Sequence, residues 1–375
     1  MARLPAELPE RLPALWSVPL HASGLGGIAV ADQRVVFGDR DLDDLQDVYQ
    51  CLDARTGELL WVVRVVALGQ LDYGNSPRAT PLIADGRVFL CGALGDLLCV
   101  DLATGKTLWQ RNLRQDFAVT AEMPWGFCGS PLLVAGKLVV SPGGPQASLV
   151  ALRPETGEVI WQTPGAPAGH GSFIAGEFGG RWQVIGHDVD SLGGWDPASG
   201  KRLWRLVPPA PGDFNVPTPV AWRGQLIVAT ENNGTRLYGF RADGTLDPQP
   251  RAENRRLAPS MSTPVVAGTR LFCVHRQLVC LDLQDGLRDR LRQRDSAFGD
   301  YAAALTDDQR VLLAGRGELV LVDATATPPR ITSRCRVSSE ETELYAHPAL
   351  VGPHLYLRSE SSLLCLPFVA DPPAP

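Results

Sequence analysis

The segment L-D-A-R-T-G-E-L-L-W at residues 52–61 returns with small changes. It reads V-D-L-A-T-G-K-T-L-W at 100–109, L-R-P-E-T-G-E-V-I-W at 152–161 and W-D-P-A-S-G-K-R-L-W at 195–204. Its glycines Gly57, Gly105, Gly157 and Gly200 stand 48, 52 and 43 residues apart. Self-similarity at such a period marks an array of like units. Each copy reads as a strand, a tight turn and a second strand, with the glycine supplying the positive-φ turn position at no steric cost. Trp61, Trp109, Trp161 and Trp204 each follow the glycine by four residues. Each ring is therefore expected in an equivalent place.

A second signature precedes the first. Pro81, Pro131, Pro219, Pro264 and Pro348 each stand seven residues before the first apolar residue of a strand, with a Gly-containing turn between. This is a β-hairpin pattern. The two signatures together give four strands per unit and units starting near 28, 81, 131, 172, 219, 264, 304 and 348. The last unit stops after S-L-L-C-L-P-F (362–368), one strand short. Residues 12–20, with Trp16, resemble the missing strand and are expected to pair into it and close the ring. The expected fold is all-β: an eight-bladed propeller of four-stranded antiparallel blades, one domain over 1–375. Closure leaves short, protected edges.

Composition agrees with such a chain. The 375 residues carry 38 Gly and 31 Pro, as many short strands joined by turns require. A net charge of −6 speaks against nucleic acid, which usually needs a basic face. No apolar run is long enough to span a membrane. Residues 1–12, MARLPAELPERL, show no leader-like apolar region, so a cytoplasmic monomer is expected, or a periplasmic one if a leader was removed. Of the eight cysteines, Cys51, Cys99, Cys280 and Cys365 share one repeat position, which argues for small buried side chains.

The T-G-K-x-x-W pattern resembles the WD-like tryptophan-docking repeat of the eight-bladed quinoprotein (PQQ) dehydrogenases and their relatives. The resemblance covers nearly the whole chain. It implies that Trp16, Trp61, Trp109, Trp161 and Trp204 stack between neighbouring blades. The same repeat occurs in relatives without a quinone: the propeller lipoprotein of the bacterial outer-membrane β-barrel assembly machinery, and bacterial PQQ-like domains of uncertain role. The segments at 75–82, 92–101 and 125–132 look closest to the last group. The adjacent Cys-Cys pair and the C-x-x-C-H haem motif of many quinoprotein dehydrogenases are absent from the sequence.

Residues just before each first strand should face the mouth of the central channel. The position three before each Pro, or its equivalent, holds Arg78, Cys128, His170, Val216, Met261, Tyr301 and Tyr345, with Trp125, Asn215, Asp300 and His347 nearby. A quinone pocket needs cations for carboxylates, an aromatic floor, and an oxygen-rich calcium site with a base. Arg78, Trp125 and Asp300 supply these in part. The plainer reading is a wet channel lined by polar groups, with Arg78 paired to a loop carboxylate such as Asp72. Asp39-x-Asp41-x-Asp43 lacks the Gly and Glu of a calcium loop, and Gly24–Gly27 lead into a strand, not a helix. The expected function is a ligand- or protein-binding scaffold with no cofactor. The alternative is a quinoprotein-type oxidoreductase that uses PQQ and Ca²⁺ on an alcohol or sugar, with Asp300 as base.

Overall fold

The computed structural model describes residues 3–339 and 344–368. Its thirty-two strands, numbered in chain order, form eight four-stranded antiparallel sheets arranged as a ring, an eight-bladed β-propeller. The first blade holds β2 (Ala29–Ala31), β3 (Arg34–Arg40), β4 (Gln46–Asp53) and β5 (Leu59–Val66). Later blades open at Leu82, Leu132, Ile174, Val220, Val265, Ala303 and Ala349, within two residues of the sequence expectation. The eighth blade joins β30 (Ala349–Val351), β31 (His354–Arg358) and β32 (Ser362–Pro367) to β1 (Trp16–Pro19) in the order β1-β32-β31-β30. Trp16 pairs with Cys365, so the two ends of the chain share one sheet.

Inner strands such as β3 are buried along their length between neighbouring blades, whereas outer strands bury alternate residues, as period-two side-chain alternation allows. In β5, Trp61, Val63 and Val65 face inward while Leu60, Val62, Arg64 and Val66 face solvent. Six blades carry a register shift just before the repeat turn, at Cys51, Cys99, Ala151, Gly194, Cys280 and Leu321. This position explains the recurring cysteine. It lies directly opposite the tryptophan: Cys51 with Trp61, Cys99 with Trp109, Ala151 with Trp161, Gly194 with Trp204. A large ring on one strand requires a small side chain across from it, and Cys, Ala and Gly all meet that need. Where the facing residue is Ser333, Leu321 fits.

The rings then reach the next blade. The indole N–H donates to the carbonyl one residue after the turn's first position: Trp16 to Ala54 (3.1 Å), Trp61 to Leu102 (2.9 Å), Trp109 to Pro154 (2.9 Å) and Trp161 to Pro197 (3.1 Å). Each ring lies on that turn's glycine. A Cβ on Gly57, Gly105, Gly157 or Gly200 would stand 2.5–2.8 Å from ring carbons. Trp204 departs from the expectation of equivalent placement. Blade five has a shortened turn at 242–244, and Trp204 donates instead to Gln183 Oε1 (2.7 Å) in its own blade. Gln183 relays the tie through its amide to the carbonyl of Gly244 (2.6 Å).

The closing seam between blades eight and one contains a buried ion pair. Arg358 and Asp39, both fully buried, lie 3.6 Å apart, and Arg358 also donates to the carbonyls of Gly38 and Ala22. A Cβ on Gly24 would collide with the Arg358 guanidinium, one on Gly26 with the Pro77 carbonyl and one on Gly27 with the Thr80 hydroxyl, which explains the glycine cluster at 24–27. Asp39 is therefore part of the ring closure, where it also accepts from the amides of His21 and Ala22. Before β1, Leu4 and Leu8 are buried against blades seven and eight, and Leu4 N donates to Asp307 (2.8 Å).

Candidate functional site

The connections into the first strand of every blade converge on one cavity of about 570 Å³ on the ring axis. All seven residues of the aligned position line it, from Arg78 to Tyr345, together with Trp125, Asp300 and His347. Asn215 is not among them. It is buried with φ +56, and its amide donates to the carbonyls of Asp188 (3.1 Å) and Val189 (3.3 Å), so it fixes a turn.

Arg78 is 9% exposed. Its guanidinium donates to the carbonyls of Asp72, Gly74 and Ser76. The expected partner segment is right but the group is not: the loop offers main-chain oxygens, and no carboxylate among the described residues pairs with this cation. Burial holds the guanidinium below its ordinary pKa, with the Cys128 and Asp72 charges opposing. Trp125 packs edge-on against His170 and Phe214, each at 4.7 Å between ring centres. Burial, helped by Arg78, pushes the His170 imidazole down to about 4, so it is neutral at pH 7. Burial also lowers His347 and raises the Cys128 thiol to about 11, so neither is charged there. Across the cavity Tyr301 packs against Tyr345 at 5.5 Å, and Asp300 pairs with Arg276 at 3.0 Å on the solvent side.

Below this ring lies a feature that the sequence reading missed. In blades three to six the hydroxyl residue two positions before the first strand accepts from the amide of the matching residue one blade earlier. Thr80 N donates to Ser130 Oγ (3.0 Å), Ser130 N to Ser172 Oγ (3.1 Å), Ser172 N to Thr218 Oγ1 (3.2 Å) and Thr218 N to Thr263 Oγ1 (3.0 Å). The signal was available as a Thr or Ser preceding Pro81, Pro131, Phe173, Pro219 and Pro264. The chain of hydroxyls joins blades two to six. At this position blade seven has Ala303 and blade eight His347 instead.

The profile of the family described as outer membrane protein assembly factor BamB matches residues 13–172 and 146–366. The chain belongs to this family of PQQ-like propellers. BamB of Burkholderia pseudomallei is 24% identical over 357 residues, covering 72% of this chain and 88% of that protein. The quinoprotein alcohol dehydrogenase PedH of Pseudomonas putida is 30% identical over 141 residues, covering 34% of this chain and only 22% of the dehydrogenase. Two solved structures share the fold. BamB of Moraxella catarrhalis has a TM-score of 0.64 at 14% identity over 95% of this chain and all of that one. The quinohemoprotein alcohol dehydrogenase of Comamonas testosteroni has 0.63 at 13% identity over 98% and 78%.

The fit of a quinone and calcium turns on the donor set. Arg78, the arginine in the cavity lining, donates its N–H groups to main-chain carbonyls, and Asp300 is tied to Arg276. Among the described residues no three His, Cys, Asp or Glu side chains stand together as a cation seat. These residues do not match the cation–carboxylate seat that the resemblance to dehydrogenases implies.

Proposed function

We propose that this chain is a binding propeller, one domain whose funnel takes a small-molecule ligand or a segment of a protein partner without catalysing a reaction. The observation that supports this most is the state of the funnel's acid: Asp300, half-exposed in the cavity lining, is held in an ion pair with Arg276. The breadth of the match to BamB, 88% of that protein, supports it further. Those relatives are outer membrane protein assembly factors, which favours a protein partner and a periplasmic location over the cytoplasmic one. In this reading Trp16, Trp61, Trp109, Trp161 and Trp204 are mortar between blades, and the protein works as a monomer.

The test is direct. Purified protein is titrated with pyrroloquinoline quinone and Ca²⁺ while absorbance and melting temperature are followed, then assayed for dye-linked oxidation of alcohols and sugars. No shift at micromolar quinone and no turnover are expected; turnover overturns the reading. The second reading, a quinoprotein oxidoreductase, is kept by the 30% identity to PedH. It requires Asp300 to leave Arg276, and under it Arg78→Ala would weaken quinone binding.

A further inference from the structure

Seven of the eight blades end in an outer strand that is short or polar. The outer strands of blades two to four read T-L-W-Q-R-N (107–112), V-I-W-Q-T (159–163) and R-L-W-R-L (202–206). Those of blades five to seven read A-E-N (252–254), R-D-R-L-R-Q (288–293) and R-I-T-S-R-C-R (330–336). In blade eight it is W-S-V-P, with a proline. Charges, prolines and short length are the usual means of blunting a free sheet edge.

The outer strand of blade one does not follow this rule. β5 reads L-L-W-V-V-R-V-V over eight residues, about 27 Å of extended chain. It is the last strand of its sheet, and among the described residues no strand pairs with its outer edge. Its solvent-facing side chains are aliphatic: Leu60 at 40%, Val62 at 37% and Val66 at 67% exposed, followed by Leu68 at 66%. Arg64 is the single charge among them. The edge runs into a cleft of about 480 Å³ between blades one and two, lined by Val66, Leu68, Leu94, Asn112, Arg114 and Gln115.

We propose that β5 is a docking edge, and that its occupant is an extended segment of another polypeptide, added as a fifth strand to blade one. A row of unused backbone donors and acceptors selects a strand, because only an extended chain presents matching groups at the same spacing. Val62 and Val66 select aliphatic residues at alternate positions of that segment, which then enters the cleft by Leu68 and Leu94. Arg64 selects a carboxylate opposite it. A second copy of β5 carries no acid and so meets this requirement poorly, which favours a different chain over self-pairing. The proposal rests on the binding-module reading but not on the funnel.

The probe is a short acetylated and amidated peptide that alternates valine and threonine around one central glutamate. Fluorescence anisotropy measures binding, and hydrogen exchange maps it. Protection gained at residues 60–66 is expected. The double variant Val62→Lys with Val66→Lys should bind about tenfold or more weakly with an unchanged melting temperature, since both side chains are exposed. Arg64→Glu should move the preference to a lysine-centred peptide. Equal protection of residues 107–112 and 159–163, or unaltered binding by the lysine variant, overturns the proposal. So does a concentration-dependent dimer that the same variant abolishes, which would give the edge to a second copy. The quinone and turnover assays read nothing at this edge, so either reading can fail without the other.

Discussion

Two kinds of seam in the ring solve one problem with different chemistry. Between blades eight and four, going through one, two and three, a tryptophan donates to the carbonyl after the first turn residue and lays its ring on the turn glycine. Between blades six and seven the equivalent carbonyl, that of Ala324, accepts from Arg270 (2.6 Å), which also reaches Ala326 and the Thr327 hydroxyl. Arg290, at the sequence position of the missing tryptophan, stays in its own blade and pairs with Asp282 (3.0 Å) and Asp285 (2.8 Å). The conserved geometric element is thus the acceptor on the neighbouring turn. The donor changes, and with it the apolar area that accompanies the bond. A buried indole adds dispersion and burial to its hydrogen bond. A half-buried guanidinium adds a bond from a charged donor, part of which water replaces when it is lost.

The comparison is broken most simply by removing both donors. Trp61→Ala deletes a buried ring with its hydrogen bond and should cost about 3–5 kcal/mol in chemical denaturation. Arg270→Ala, with its acceptors left near solvent, should cost about 1–2 kcal/mol. Equal losses would show that the ring contributes no more than its N–H.

The turn glycines sharpen the point at smaller scale. Gly105 and Gly286 both have positive φ, +72° and +60°. A Cβ on Gly105 would stand 2.8 Å from the Trp61 ring, whereas one on Gly286 meets nothing within 4 Å. Gly286→Ala should cost only the left-handed backbone term, about 1–2 kcal/mol. Gly105→Ala should cost more, and in the Trp61→Ala background the excess should vanish. An excess that persists would mean the ring is not what the glycine accommodates.

These seams also show what was legible beforehand. The repeat, the eight blades and the closure by Trp16 could be read because each copy must satisfy the same turn and the same strand alternation. The aligned funnel position was legible for the same reason, from Arg78 through Tyr345. Asn215 was misplaced because adjacency in sequence does not give direction: a positive φ turned its amide toward the carbonyls of Asp188 and Val189. Arg270 was illegible because it comes from the second strand of its blade, a different repeat position from the tryptophan it replaces. Trp204 looked regular until the shortened turn of blade five moved its acceptor out of reach. Side-chain relays such as Gln183 depend on distances between blades, which one repeat does not encode.

The smallest expected effect separates the turn of blade two from that of blade six by their acid limbs. Asp101, in the turn beneath Trp61, lies below its ordinary carboxyl value of 3.8 because the Thr104 hydroxyl and amide bond to it. For Asp282, in blade six, burial pushes the value up, but the Gln284 amide, the Arg290 guanidinium and the Asp285 amide outweigh it, and it too lies below 3.8. A carboxyl depressed in the folded state contributes stability that is complete above the unfolded value. That stability is lost as pH falls from about 3.8 through the folded value, because the unfolded chain takes up protons first. Thr104→Ala should therefore flatten the acid limb below pH 4 equally at low and high salt, since neutral donors are not screened. Arg290→Gln should flatten it at low salt and change it little in 1 M salt, where screening reaches within about 3 Å of a charge. Urea denaturation at pH 3–5 in both salt concentrations distinguishes them. The same salt response in both variants would show that Arg290 holds its aspartate by geometry, not by charge.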